Sequence, residues 1–136
     1  KSNVKKIILR PHPDDNRNLN FFNNHVKIKI SDSSLENDLL KSNLVLVNES
    51  NVILDALAFG CGLIKCSFFG QDTDNYGFVK NNLVQYDCKS LLSFKKLLNT
   101  NNPNNFRSKK MNLKYYVGDL SKGIKIWEYH LNNILK

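Results

Sequence analysis

The residue of this sequence best suited to chemistry is His12, which stands between two prolines in the segment Arg10-Pro11-His12-Pro13. The proline rings restrict the backbone on both sides and so hold the imidazole in place. A neutral imidazole can donate a hydrogen bond to a phosphate or sugar oxygen, and a protonated one can pair with phosphate charge. We therefore predict that His12 is a site residue with a catalytic role, the alternative being an exposed side chain in an ordinary turn.

Two serine-containing segments could complete such a site, Ser33-Ser34 and Ser50-Asn51. Serine is a favoured helix cap, and the free backbone N–H groups at a helix start attract anions. Asp55 stands five residues beyond Ser50, among apolar neighbours that predict burial. Because an unpaired buried carboxylate is costly, Asp55 should have a partner, for which a ribose diol and a lysine are the two candidates.

Alternating strands and helices are predicted to position these residues. Apolar runs predict strands, the most hydrophobic of them being Leu-Val-Leu-Val at 44–47, which should be central. Ser33 and Glu36 form a capping box that opens one helix, and Gly60 ends another. The predicted strands are 4–9, 26–30, 44–47, 63–69 and 83–86, and the predicted helices are 14–24, 33–40, 51–59, 91–98 and 119–135.

This order predicts an α/β fold, a Rossmann-like three-layer sandwich built on a mainly parallel sheet. In such sheets ligands bind outside the carboxyl ends of the strands, where connecting loops meet helix starts. The segments holding His12, Ser33-Ser34 and Ser50-Asn51 each follow a predicted strand directly. We therefore expect them to meet at one edge of the sheet.

Composition bounds the class of protein. The 136 residues fit a single domain, with 119–136 as its closing helix, and no apolar run is long enough to span a bilayer. The chain starts at Lys1 without methionine or signal peptide, which suggests a fragment of a longer protein. Three cysteines without a Cys-X-X-Cys pair argue against a disulfide scaffold or zinc site and favour a cytoplasmic location.

The formal net charge of +8 raises the question of an anionic partner. A solubilising surface is the favoured interpretation, peripheral contact with an anionic inner membrane comes second, and nucleic acid is not expected. The basic residues are scattered except for one cluster, which comprises Arg107, Lys109, Lys110 and Lys114.

Two motifs carry a resemblance to a known family. The run Ser-Asn-Val-Ile-Leu-Asp-Ala-Leu-Ala-Phe-Gly at 50–60 resembles the donor-site segment of GT-B glycosyltransferases and of the related UDP-GlcNAc 2-epimerases. Arg-Pro-His-Pro at 10–13 resembles their His-Pro motif, which also occurs in capsule and lipooligosaccharide sialyltransferases. The chain is thus similar to the C-terminal, donor-nucleotide-binding domain of such enzymes, one half of a GT-B fold.

The resemblance implies a role for each site residue. His12 would contact the donor phosphate or sugar, Ser50 and Asn51 the phosphate, and Asp55 the ribose hydroxyls, with Ser33 and Ser34 on the same rim. Asp55 stands where glutamate is commoner in the family. The acceptor domain would belong to an N-terminal part absent from this chain.

The function implied is binding of a CMP- or UDP-linked sugar for the synthesis of a bacterial surface polysaccharide, with no metal or other cofactor. The parent protein would be the enzyme, and this chain alone is expected to be inactive. Two alternatives stay open, a UDP-sugar 2-epimerase-like domain and a non-catalytic α/β binding module. Asp72-Thr73-Asp74 has the spelling of a metal-binding motif, but its polar surroundings favour a turn.

Overall fold

A computed structural model describes residues 4–70, 72–101 and 106. The strands are β1 (Ile7–Leu9), β2 (Ile28–Ile30), β3 (Leu44–Val47), β4 (Gly62–Cys66) and β5 (Tyr86–Cys88). The helices are α1 (Leu35–Leu40), α2 (Val52–Ala58) and α3 (Leu91–Thr100), with short 3-10 turns at Asn20–Phe22 and Ser67–Phe69. The predicted closing helix at 119–136 and the basic cluster at 107–114 lie outside the described residues.

The strands pair in parallel, as predicted, and the fold is α/β. β1 pairs with β2, and β3, β4 and β5 form a second sheet in that order. The expectation of one continuous sheet is therefore wrong for the described residues. The prediction that 44–47 is central is also wrong, since β4 is the central strand and β3 lies at the edge of its sheet. A run of apolar residues indicates burial, but it does not identify the strand's neighbours.

The larger sheet is the middle of three layers, and the alternation of side chains along β4 shows this directly. Leu63 packs with residues of α1 and α2. Ile64 and Cys66 point the other way, towards α3 and Phe106. Because successive side chains of a strand point to opposite faces, one fully buried strand requires cover on both sides. The three-layer arrangement is confirmed.

The ends of two helices follow from single residues. Gly60 has a φ of +73°, and the N–H groups of Gly60 and Cys61 donate to Leu57 and Ala56, the Schellman arrangement that ends α2. The helix end at Gly60 is thus confirmed. The predicted capping box at Ser33 is wrong by one residue, because Ser34 is the cap of α1 and its hydroxyl accepts from the Asn37 N–H.

The predicted helix at 14–24 is wrong except for the 3-10 turn. Asp15 and Asn18 bind backbone N–H groups two residues ahead, those of Arg17 and Asn20. Such local bonds compete with helix formation. The strand predicted at 63–69 ends at Cys66 instead, and the strand predicted at 83–86 lies at 86–88.

Candidate functional site

The carboxyl ends of β1 and β2 are joined to the start of α1 by one arginine. Arg10 Nη1 donates to the Ser33 carbonyl at 2.7 Å and to Asp38 Oδ2 at 2.9 Å. Asp38 is buried and also accepts from the Ser31 hydroxyl at 2.5 Å. Two of the three segments predicted to form the site therefore lie together. Ser33 contributes its carbonyl, and the exposed Ser34 contributes the cap of α1.

His12 lies on the solvent side of this junction. Its side chain is 76% exposed, and Nδ1 accepts a hydrogen bond from the Asp14 N–H at 3.2 Å. Because Nδ1 accepts there, the neutral ring carries its proton on Nε2. Nδ1 also lies 3.5 Å from Asp14 Oδ2, a contact that becomes an ion pair when the ring is protonated. The imidazole is thus bonded to its local turn and largely exposed, and its role as a site residue stays a prediction.

A cavity of about 450 Å³ opens beside His12. Its volume is in the range of small-molecule pockets. Its lining combines cationic, anionic, aromatic and aliphatic residues from the end of β1 and the segment that follows it: Leu9, Arg10, Pro11, His12, Asp15, Arg17, Asn18, Leu19, Phe21 and Phe22.

Arg17 is held at this cavity by Asp15. Its Nε and Nη2 donate to the two oxygens of the Asp15 carboxylate at 2.7 and 2.6 Å. The hydrogen bonds from Arg17 lower the pKa of Asp15 to about 2, so the carboxylate stays charged and the guanidinium stays oriented. Arg17 therefore lines the cavity with its guanidinium group bonded to Asp15 and most of its side chain exposed.

The start of α2 holds the other predicted residues. The Ser50 hydroxyl accepts from the Val52 N–H at 3.3 Å, while Asn51 is exposed and makes no side-chain cap bond. The expected burial of Asp55 is wrong: its side chain is exposed. Helical periodicity explains this, because Ile53, Ala56 and Leu57 form the buried face and Asp55 falls outside it.

A cluster of hydrogen-bonded polar residues lies at the carboxyl end of the larger sheet, and the sequence did not predict it. The Glu49 carboxylate accepts three hydrogen bonds, from the hydroxyl of Thr73, the side-chain amide of Asn75 and the N–H of Tyr76. Lys65 of β4 is 2% exposed, and its ammonium group donates to the Thr73 carbonyl. Together Glu49 and Lys65 fasten residues 72–76, which we term the strap, to β3 and β4.

The two aspartates of the strap also have structural partners. Asp72 pairs with Lys89 at 2.8 Å, and Asp74 accepts from the N–H groups of Val79 and Lys80. The hydrogen bond from Lys89 lowers the pKa of Asp72. Asp72-Thr73-Asp74 lies in a loop, and the turn begins at its last residue, where the Asp74 carbonyl accepts from the Gly77 N–H at 2.9 Å. Within residues 4–70, 72–101 and 106, no group of acidic, histidine or cysteine side chains is arranged to hold a metal ion.

The sequence could not have identified the strap, because a lysine in an apolar run and a glutamate before a helix are ordinarily solvated. The structure also divides the predicted site. His12, Ser33 and Ser34 lie with the smaller sheet, and Ser50, Asn51 and Asp55 with the larger. Across the described part of the chain, no hydrogen bond or ion pair joins the two groups.

The fold and the cavity define a parallel α/β domain with polar groups at the carboxyl ends of its strands. Comparison with family models, with curated proteins and with solved structures gives no match. No helix in the described ranges has both the length and the apolar character needed to cross a membrane.

Proposed function

We propose that this chain is the nucleotide-sugar-binding domain of a glycosyltransferase that acts in bacterial surface polysaccharide synthesis. The sequence motifs at 10–13 and 50–60 suggest the family. The parallel α/β fold supplies the framework on which such ligands are usually bound, with loops at the carboxyl ends of the strands.

The observation that carries the proposal is the cavity beside His12. It opens directly after β1 and is lined by His12, Arg10 and Arg17, of which Arg10 is paired with Asp38 and Arg17 with Asp15. These groups are donors suited to phosphate oxygens, and Arg matches phosphate geometry especially well. The cavity has a volume of about 450 Å³ and is half open to solvent.

The chemistry proposed for His12 is stabilisation of the departing nucleotide phosphate. Charge builds on that phosphate as the sugar leaves, so a donor already aimed at it lowers the barrier without reorganising. Ser50 and Asn51, at the start of α2, would also bind the phosphate if the parent protein brings them and His12 together around one ligand. The acceptor would come from another part of that protein, so the chain alone binds the donor without turning it over.

Thermal denaturation with CMP, UDP, GDP and CDP at millimolar concentration tests the proposal. A nucleotide at 100 times its dissociation constant stabilises the folded state by roughly 2.7 kcal/mol. We expect one nucleotide to raise the melting temperature and His12→Ala to abolish most of that increase.

His25→Ala is the matched control. His25 is exposed and its Nδ1 accepts from the Lys27 N–H at 3.2 Å, the same local geometry as His12, but it does not line the cavity. The increase should survive in this variant. No stabilisation by any of the four nucleotides, or equal loss in both variants, would refute the proposal. The first outcome would favour the non-catalytic binding module.

A further inference from the structure

Two aromatic rings stand at the mouth of the His12 cavity. Phe21 and Phe22 have ring centroids 4.0 Å apart with the rings tilted by 37°, and both line the cavity. Phe21 is 70% exposed, and no residue of its 3-10 turn is buried. The two rings therefore pack on each other at the surface of the protein and contribute nothing to either buried core.

The turn that carries these rings is fixed by its own hydrogen bonds. The Phe22 N–H donates to the Leu19 carbonyl at 2.9 Å, and the Asn20 N–H donates to Asn18 Oδ1 at 2.9 Å. Asn23 adds a further bond back to the Asn20 carbonyl at 3.0 Å. The rings are thus presented by an ordered segment, which lowers the cost of binding a flat ligand on them.

Cationic and aromatic residues line the same cavity. Arg17 uses Nε and Nη2 for Asp15, and in the described chain its Nη1 has no bond of its own. A ligand that suits this wall carries an anion for the arginines and His12 and a flat π-system for the phenylalanines. A nucleotide has both parts, since every base offers a stacking face and the phosphate supplies the charge.

We propose that Phe21 is the stacking platform for the base of the bound nucleotide, with Arg17 beside it as a hydrogen-bond donor. This inference rests on the proposed function and assigns the part of the ligand that the sequence motifs leave open. Stacking accepts any base, so it explains affinity for nucleotides in general. Selection of one base requires hydrogen bonds to its edge, for which Arg17 and Asn18 are the candidates among the residues that line the cavity.

The test compares ligands with and without a base. Isothermal titration with CMP and UMP, and with ribose 5-phosphate as the probe lacking a base, is carried out on the wild type, Phe21→Ala and Phe21→Trp. One stacked base is typically worth a factor of about 5 to 150 in affinity. Phe21→Ala should therefore lower the affinity for CMP and UMP by about that factor and leave the affinity for ribose 5-phosphate unchanged. Phe21→Trp should retain the affinity for both nucleotides.

Phe69→Ala is the matched control. Phe69 is also 70% exposed, belongs to a 3-10 turn and contacts a neighbouring ring, that of Phe68, at a centroid distance of 4.3 Å, but it does not line the cavity. The Phe69→Ala variant should bind nucleotides with the same affinity as the wild type. The high exposure of Phe21 means that its removal should leave the urea unfolding curve nearly unchanged.

The outcomes separate this inference from the function on which it rests. If nucleotides bind the wild type and Phe21→Ala binds them equally well, the platform is refuted while the proposed function stands. An equal loss of affinity for ribose 5-phosphate in Phe21→Ala would also refute the stacking role of Phe21, because the effect would then be unrelated to the base. If no nucleotide binds the wild type at all, both proposals fail together.

Discussion

Replacing Arg10 by methionine should destabilise the protein, because this residue ties three elements together. The substitution keeps an unbranched but shorter side chain and removes two hydrogen bonds, to the Ser33 carbonyl at 2.7 Å and to Asp38 Oδ2 at 2.9 Å. The carboxylate of Asp38 then remains with the hydroxyl of Ser31 as its partner. A buried charge that loses its counter-ion is strongly unfavourable.

The magnitude follows from the exposure of the two side chains. Exposed ion pairs contribute about 0–1 kcal/mol, whereas breaking a buried pair costs about 3–5 kcal/mol. Here Asp38 is 11% exposed and Arg10 39%, so solvent screens the arginine side of the pair. We expect Arg10→Met to lower the free energy of unfolding by about 2 kcal/mol, which for a chain of this size is roughly 8 °C in melting temperature.

Urea denaturation of Arg10→Met, Asp38→Asn and the double variant measures this. The double variant should be less destabilised than the sum of the two single variants, by about 1 kcal/mol, because the second substitution removes a charge already stranded by the first. Arg10→Lys should fall between the wild type and Arg10→Met, since it keeps the charge and loses the planar fork. A loss below about 0.5 kcal/mol for Arg10→Met, or strict additivity, would refute the reasoning.

Two further predictions concern the larger sheet. Gly62→Ala should prevent stable folding, because a Cβ at this position would lie 1.8 Å from the carbonyl oxygen of Phe106. Thermal denaturation followed by circular dichroism tests this. A variant that melted within a few degrees of the wild type would contradict the prediction. For Glu49→Gln we predict a change in the pH dependence of stability. The hydrogen bond from Thr73 lowers the pKa of Glu49 below its ordinary 4.5, so its contribution to stability is present above that pH and lost as the pH falls through the lowered value. Urea unfolding of the wild type should therefore weaken more steeply on acidification than that of Glu49→Gln, and parallel pH profiles would contradict the assignment.

Much of the fold could be predicted from local patterns. The run at 44–47 gave the bounds of β3, and Gly60 gave the end of α2, because both signals depend on a few neighbouring residues. Ser33 and Ser34 are adjacent and chemically identical, so the cap of α1 could not be assigned between them without the backbone. The position of β4 at the centre of its sheet depends on contacts between distant residues, which periodicity does not report.

The candidate site was predictable only in part. The proline-flanked His12 follows β1 as predicted, but its side chain is largely exposed, which is the alternative that the sequence left open. Asp55 was expected to be buried because its neighbours are apolar, but helical geometry turns it to solvent. The burial of Lys65 was not predicted, because a lysine in a strand usually reaches water. Here its ammonium group donates a hydrogen bond to the Thr73 carbonyl. Such partners come from loops whose course the sequence does not specify.

Nucleotide phosphate is proposed to bind at the carboxyl end of β1, beside His12. The most direct measurement is a titration of the ¹⁵N-labelled chain with CMP and UDP, following every backbone amide by NMR. If nucleotide phosphate binds there, saturable shifts are expected at residues 10–22, centred on His12 and Arg17. Shifts confined to the strap and the start of α2, or none at millimolar nucleotide, would contradict it.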